Sequence, residues 1–182
     1  MKHVIRKNIK ERIRSYSELE KSKKSDIIKD RLFEEEEFRR AEVIMFYVSL
    51  KDEVSTLSMI DEAIETGKRV CVPVILKEDK RLIAGEIKDR RRDLESQHFG
   101  IYQPRPGHVK EVPLEDIDLV VVPGIAFDKD NVRLGRGHGY YDRFLCGLPE
   151  KTKAIGLAFD FQVVDKLPKD SHDIPVSKTI SA

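Results

Sequence analysis

Apolar residues recur along the first forty positions at helical spacing. Within residues 2–15, Val4, Ile5, Ile9 and Ile13 fall near one face, and lysines and arginines fill much of the rest. Residues 18–38 continue with Leu19, Ile27, Ile28 and Leu32 among charges. The spacing predicts a helical region over residues 2–38 with a break near Tyr16-Ser17. Two amphipathic helices covering a sheet fit this pattern. A basic membrane helix fits it less well, because the acidic run Glu34–Glu37 follows closely.

From residue 42 the pattern changes. EVIMFYVS, residues 42–49, is β-branched and aromatic and reads as a buried strand. Residues 55–65 read as a helix, with Ser55 or Thr56 near its start and Gly67 ending it. Further strands are predicted at 69–75 and 118–124, where DLVVVPG is the strongest signal, and at 153–159. Residues 82–87 give a weaker one, and SKTIS a short last one. Residues 105–113 read as a loop. Strands separated by helical spans predict an α/β fold: a three-layer α/β/α domain with a largely parallel, Rossmann-like sheet. Residues 1–182 are expected to form one domain, since two pieces would have poor cores.

Charge narrows the function. Lys and Arg number 34 and Asp and Glu 33, a formal net charge of +1. That balance argues against a protein dominated by nonspecific nucleic-acid binding but leaves room for a local basic pocket. No apolar run approaches the roughly 18 residues of a membrane span, and MKHVIRKNIKERIR lacks the apolar core of a secretory signal. Cys71 and Cys146 form no close pair, and five scattered histidines show no zinc spacing. The expectation is a cytoplasmic protein without nucleic-acid or membrane partners, as a monomer or weak homodimer.

The candidate chemistry lies after DLVVVPG, beyond a strand C-terminus, where α/β sheets commonly bind ligands. RLGRGHGYYDRFL spans residues 133–145. Gly135, Gly137 and Gly139 can take positive φ and let a ligand approach the backbone. Successive amides, and the start of a helix at Tyr140, would form an anion nest. Arg133, Arg136 and Arg143 could neutralise phosphate, and Asp142 could hold a hard cation such as Mg2+. The same glycines could instead make a tight turn with Tyr140 and Tyr141 packed beneath. No P-loop or GxGxxG turn is present. Lys2 and Arg6, at i and i+4, share a helical face and could be ligands or solvent-exposed.

At full length, PGIAFDKDNVRLGRGHGYYDRFL, residues 123–145, resembles the 5-formyltetrahydrofolate cyclo-ligase (methenyltetrahydrofolate synthetase) family. KHVIR at 2–6, YVSLKDEVST at 47–56, GIYQP at 100–104 and HDIPV at 172–176 support the resemblance across nearly the whole chain. It implies an enzyme using ATP and Mg2+ to turn 5-formyltetrahydrofolate, a small-molecule folate substrate, into 5,10-methenyltetrahydrofolate. The formyl oxygen takes the γ-phosphoryl group, N10 attacks, and phosphate leaves as the ring closes. Such chemistry needs no Ser or Cys nucleophile, only alignment, charge neutralisation and exclusion of water.

The resemblance also implies roles. Lys2, Arg6, Arg133, Gly135, Arg136, Gly137, His138, Gly139 and Tyr140 would face ATP. Glu53 would accept hydrogen bonds from the pterin, with Tyr47 lining the same pocket; Asp52 or Glu53 could instead cap the following helix. Asp142 and Asp173 would hold Mg2+. Arg136, Tyr141 and Asp142 are the expected catalytic group. Gln162 matches a further family position, and His172 is expected to support its loop.

The chain also departs from the family pattern. His138 stands where many members have glycine. At positive φ it would cost about 1 kcal/mol; at ordinary φ it could add a donor beside phosphate or point outward. In segment 82–89, Leu82 and Ile83 are aliphatic and Gly85 lies where bulk is expected, while Ser177 and Ser181 replace a frequent Asp and Thr. The alternatives are therefore an ATP-dependent enzyme for another reduced pterin or N-formyl compound, or a non-catalytic nucleotide- or folate-binding protein.

Overall fold

Ser17 sets the first boundary in the chain. The structure, a computed structural model, describes residues 1–97 and 101–182, so Gly100 of the GIYQP stretch lies outside the described residues. Helix α1 spans Lys2–Ser15 and α2 spans Glu18–Glu34. Between them, Ser17 Oγ accepts from the Glu20 N–H at 3.2 Å and Glu20 Oε2 accepts from the Ser17 N–H at 2.8 Å. This reciprocal cap satisfies two otherwise orphaned donors and fixes the break. Ile9, Ile13, Ile28 and Leu32 are buried as their spacing predicts, each contributing roughly 1.5–3 kcal/mol. Val4, Leu19 and Ile27 face solvent instead, so the apolar stripe is narrower than the spacing suggests. A short α3, Glu36–Arg40, stacks Phe38 on Phe33 at 4.1 Å between ring centroids.

The strands, in chain order, begin with β1 Val43–Met45, β2 Arg69–Leu76, β3 Arg81–Ile87, β4 Leu94–Ser96, β5 Tyr102–Pro104 and β6 Glu111–Val112. They continue with β7 Leu119–Val122, β8 Ala126–Asp128, β9 Arg133–Leu134, β10 Lys153–Ala158, β11 Val163–Val164 and β12 Lys178–Ser181. Three more helices are α4 Leu57–Glu65, α5 Arg90–Asp93 and α6 Tyr140–Cys146. The main sheet has the order β12-β10-β7-β1-β2-β3-β6. β12, β10, β7, β1 and β2 run parallel, and β3 and β6 each pair antiparallel with the strand before them in that order.

Side chains alternate across this sheet. Ile44, Val70, Val72, Leu119, Val121, Ile155 and Leu157 pack into one core with Ile13, Ile28, Leu32, Met59 and Ile60 from α1, α2 and α4. Met45, Cys71, Val120, Val122 and Ala158 face the other way, onto Phe144 and Leu145 of α6. Helices therefore cover both faces, giving the three-layer α/β/α arrangement. Among the described residues no helix is long and apolar enough to cross a membrane.

Two local expectations are corrected, and one feature is new. The strand expected over 42–49 ends at Met45. Phe46, Tyr47 and Val48 stay buried, but at the end of the sheet. There Thr56 Oγ1 donates to the Tyr47 carbonyl at 2.5 Å and replaces the ladder. The loop expected over 105–113 contains β6, a pair of edge residues too short to show a period. The run before the glycines contains a hairpin, β8–β9, turning at Asn131 with φ 59°. Buried Asp128 braces it: Oδ1 accepts from Asp130 and Val132 N–H at 3.0 and 2.9 Å, and Oδ2 from Leu167 N–H at 2.9 Å.

Candidate active site

β1 has β2 on one side and β7 on the other, so the chain reverses its winding direction between β1 and β7. In doubly wound sheets that reversal leaves a crevice at the strand C-termini. Here Tyr47 and Val48 follow β1, Pro123 and Gly124 follow β7, and both segments line one cavity of about 720 Å³. Its wall also includes Lys2 and Arg6 of α1, Glu53, Leu82 of β3, Gln103 of β5, the whole run Arg133–Arg143, and Asp170, His172 and Asp173. One enclosure thus joins the glycine turn to Glu53.

The glycine turn is shaped by arginines. Gly137 and Gly139 lie at φ 108° and 67°, in the left-handed region that favours glycine. At Gly135 the constraint is different: a Cβ there would sit 2.6 Å from Arg133 Nη1, so the guanidinium would have to shift. Arg6 Nε donates to the Gly135 carbonyl at 2.8 Å, docking α1 on the turn. Arg143 donates to the carbonyls of His138 at 3.1 Å and Lys80 at 2.8 Å, so it supports the loop through backbone and not through a salt bridge. Its guanidinium also lies over the Tyr140 ring. His138 has no positive φ and therefore no strain penalty. It is exposed, with its ring 6.3 Å from that of Tyr140.

Arg133 does not reach openly into the cavity. Its side chain is 4% exposed, its Nη2 holds Asp142 Oδ1 at 2.9 Å, and its guanidinium lies over the Tyr141 ring. Asp142 Oδ2 accepts no hydrogen bond among the described residues. The Tyr141 hydroxyl is fully buried without a partner among them. Burial, with the Glu53 charge nearby, pushes that phenol well above its ordinary pKa. A buried, unpartnered donor on a cavity wall is a ready contact for a ligand acceptor.

At the other end, Glu53 is 11% exposed and meets Arg136, with Nη2–Oε1 at 2.9 Å. Burial raises the Glu53 pKa, and Arg136 and the Leu50 N–H only partly oppose it. Tyr47 is buried and donates its hydroxyl to the Val54 carbonyl at 2.8 Å, so it anchors the loop carrying Glu53 while lining the cavity. Neither Asp52 nor Glu53 caps α4, whose first residue follows Thr56 without a side-chain cap.

Lys2 closes the remaining side. Its ammonium binds Asp173 at 2.5 Å and Asp170 at 2.8 Å, across almost the full length of the sequence. Burial works against its charge, but the hydrogen bonds it donates to the two carboxylates, and their negative charge, outweigh it and raise its pKa. Burial works against the Asp173 charge too, and the Asp170 N–H and Lys2 outweigh it and lower that pKa. Asp170, His172 and Asp173 hold their ligand atoms within 4.8 Å of one another. Gln162 is structural: it donates to the Gly124 and Ile125 carbonyls, both at 3.0 Å, and stays buried.

Sequence reasoning missed Asp128 and Asp170 as parts of this architecture, and offered Asp52 only as a helix cap, whereas it accepts from Arg136. Asp128 ends β8 in the run AFDKDNV, where an aspartate just before a turn is placed to accept from the N–H groups two and four residues on. Asp170 precedes Asp173 by one turn in KDSHD, a spacing that signals paired carboxylates.

A model of the 5-formyltetrahydrofolate cyclo-ligase family matches residues 1–181. The chain belongs to this family. It is similar to a 5-formyltetrahydrofolate cyclo-ligase of Mus musculus, 29% identical over 98% of this chain and 92% of the relative. A probable cyclo-ligase of Caenorhabditis elegans is 30% identical over 99% and 92%. Among solved structures, it resembles the NMR structure of Aquifex aeolicus 5,10-methenyltetrahydrofolate synthetase, at TM-score 0.86 and 30% identity, covering 99% of this chain and 89% of that one. The synthetase from Mycoplasma pneumoniae superposes at TM-score 0.79 and 26% identity, covering 98% and 97%.

Within the cyclo-ligase family, this member's segment 82–89 has a packing explanation. A Cβ at Gly85 would lie 2.9 Å from Val74 Cγ2 and 3.1 Å from Pro104 Cγ, so neighbouring strands fill the space where bulk was expected. Leu82 is the residue of this segment that lines the cavity.

Proposed function

We propose that the chain catalyses ATP- and Mg2+-dependent closure of 5-formyltetrahydrofolate to 5,10-methenyltetrahydrofolate, releasing ADP and phosphate. One observation carries the reading: in a member of this family, a single cavity is lined by both Glu53 and the Gly135–Asp142 run. A pterin edge and a phosphate chain can therefore share one enclosure.

In the reaction the formyl oxygen forms a bond to the γ-phosphorus as the bond to ADP breaks. N10 then attacks the formyl carbon, the carbon–oxygen bond to phosphate breaks, and N10 loses its proton. The protein's work is alignment and electrostatics. Glu53 accepts from the pterin amide and amino group. The turn at Gly135–Gly139 offers backbone N–H groups, and Lys2, Arg6 and Arg136 offer charge to the phosphates. The Tyr141 hydroxyl donates to the oxygen that takes the phosphoryl group. Two separate places offer oxygen donors that could hold a hard cation: Oδ2 of Asp142 at the turn, and the Asp170–Asp173 pair, which here holds the Lys2 ammonium. Mg2+ held there would neutralise phosphate charge.

The test is incubation with ATP, Mg2+ and 5-formyltetrahydrofolate, followed by methenyl absorbance and ADP release, and repeated without ATP. No product and no substrate-dependent ADP would sink the proposal. The aliphatic Leu82 wall favours one second reading, the same ATP chemistry on another reduced pterin or N-formyl compound. A panel of such compounds, read as ADP release, separates the two. Binding of both ligands without turnover would instead mark a non-catalytic binding protein.

A further inference from the structure

Three hydrogen bonds already converge on the Glu53 carboxylate. Oε2 accepts from the Leu50 N–H at 2.9 Å. Oε1 accepts from Arg136 Nη2 at 2.9 Å and from Nε at 3.3 Å. A carboxylate offers about four lone-pair sites, two on each oxygen. One remains, on Oε2. A ligand edge with two parallel donors, such as an amide N–H beside an amino group, needs one site on each oxygen. At least one present donor must therefore leave.

The Leu50 N–H is the poorer candidate to move. It belongs to a tight turn in which the Glu53 N–H also donates to the Leu50 carbonyl at 3.1 Å. Arg136 is the movable partner. It stands between Gly135 and Gly137 on an exposed turn, and Gly137 already lies at φ 108°. It also has a second acceptor in hand: its Nη2 lies 2.7 Å from Asp52 Oδ1, closer than to Glu53. Asp52 is half-buried and adjoins Glu53, which lines the cavity.

We propose that a two-donor substrate edge displaces Arg136 from Glu53, and that Asp52 retains the guanidinium beside the glycine turn. Occupancy of Glu53 thereby sets where the Arg136 charge points, and Asp52 is a positioning residue for it. While Arg136 rests on Glu53 its charge is neutralised there. Once displaced it is shared only with Asp52 and faces the turn that would carry phosphate. The first ligand then strengthens the second, and by linkage the reverse holds to the same degree. The inference rests on the cyclo-ligase reading, because it needs a donor edge at Glu53 and an anion at the turn.

The experiment measures the dissociation constant of a non-hydrolysable ATP analogue with Mg2+, alone and with saturating 5-formyltetrahydrofolate. The wild-type chain should bind the analogue about five-fold or more tightly with the folate present, the lower end of ordinary coupling. Arg136→Gln should bring that ratio near one, and Arg136→Lys should keep part of it. Asp52→Asn should reduce it, with melting curves confirming that all variants fold. A merely structural Arg136 would change both affinities but leave their ratio intact, which overturns the exchange. A wild-type ratio of one overturns it too. If the wild-type chain cyclises 5-formyltetrahydrofolate while Arg136→Gln keeps its coupling, only the exchange fails. If it neither binds nor cyclises the folate, the function beneath it fails as well.

Discussion

At the glycine end of the cavity the ligand surface is backbone, held from behind by Arg6, Arg133 and Arg143. At the Tyr47–Glu53 end it is side chains, held by the hydrophobic core. Arg6 and Arg143 grip carbonyls of the turn, and Arg133 grips Asp142. Tyr47 is pinned through its hydroxyl to Val54, and Leu82 extends from β3. A backbone surface needs particular residues, because glycine conformations and guanidinium geometry have few substitutes. A side-chain surface tolerates exchange of one apolar group for another. The difference explains why one end matches the family pattern closely while the other drifts.

The largest expected effect breaks the glycine end. Asp142→Asn should lower turnover about a hundred-fold or more, by loss of the carboxylate proposed to hold the cation that neutralises phosphate. It should also lower stability by about 1–3 kcal/mol, since Arg133 is buried and loses its charged partner. Cyclisation rates together with thermal melts check both parts. A melting loss with full turnover would leave Asp142 as a support for Arg133 alone.

The next test strikes the other end. Glu53→Gln keeps the shape but turns one acceptor into a donor, and should raise the folate KM about ten- to hundred-fold with a smaller change in kcat. The pH profile carries an independent sign. Because burial raises the Glu53 pKa, protonation should begin to remove the acceptor charge above the ordinary glutamate range. Wild-type kcat/KM should therefore fall on acidification earlier than an exposed glutamate would dictate, and Glu53→Gln should lose that limb. In folding, the same raised pKa favours the protonated form. Its stabilising contribution is present at acid pH and fades as pH rises through the folded-state value.

Much of this architecture was legible in advance, for reasons that differ by region. Helix α2 buries Ile28 and Leu32 one turn apart, and strands β7 and β10 are short continuous apolar runs; both signals survive without tertiary context. The glycine turn was legible because its residue types are constrained by φ and by close approach. β6 and β9 were not, since two residues cannot show a period. β1 was read too long because Phe46–Val48 stay buried in the core past the last ladder pair, with Tyr47 and Val48 also lining the cavity. The pairings Arg133–Asp142, Arg136–Asp52 and Lys2–Asp170 join segments 9, 84 and 168 residues apart. Such pairs are set by topology, which residue types alone do not encode.

A third prediction asks whether the tolerant end can be remade. Gly85→Met would restore bulk where the family pattern carries it, but its Cβ would meet Val74 and Pro104 within 3.1 Å. The variant should lose about 1–3 kcal/mol of stability and gain no folate affinity. Tighter folate binding without a fall in melting temperature would show that the hairpin yields, and that the packing account of segment 82–89 is wrong.

The smallest effect is expected at His138, and it tests the constrained end where it is least constrained. The residue is exposed, lies outside the left-handed region and offers its carbonyl, not its ring, to Arg143. His138→Ala keeps that carbonyl, so stability should change by no more than about 0.5 kcal/mol. If the ring only points outward, the KM for ATP should also hold within about two-fold, under a quarter of the free energy of a typical charged contact. A larger rise in the ATP KM, with the folate KM unchanged, would give the ring a phosphate-side role. The backbone surface would then gain one side-chain contact, and the two ends would differ in degree where they now differ in kind.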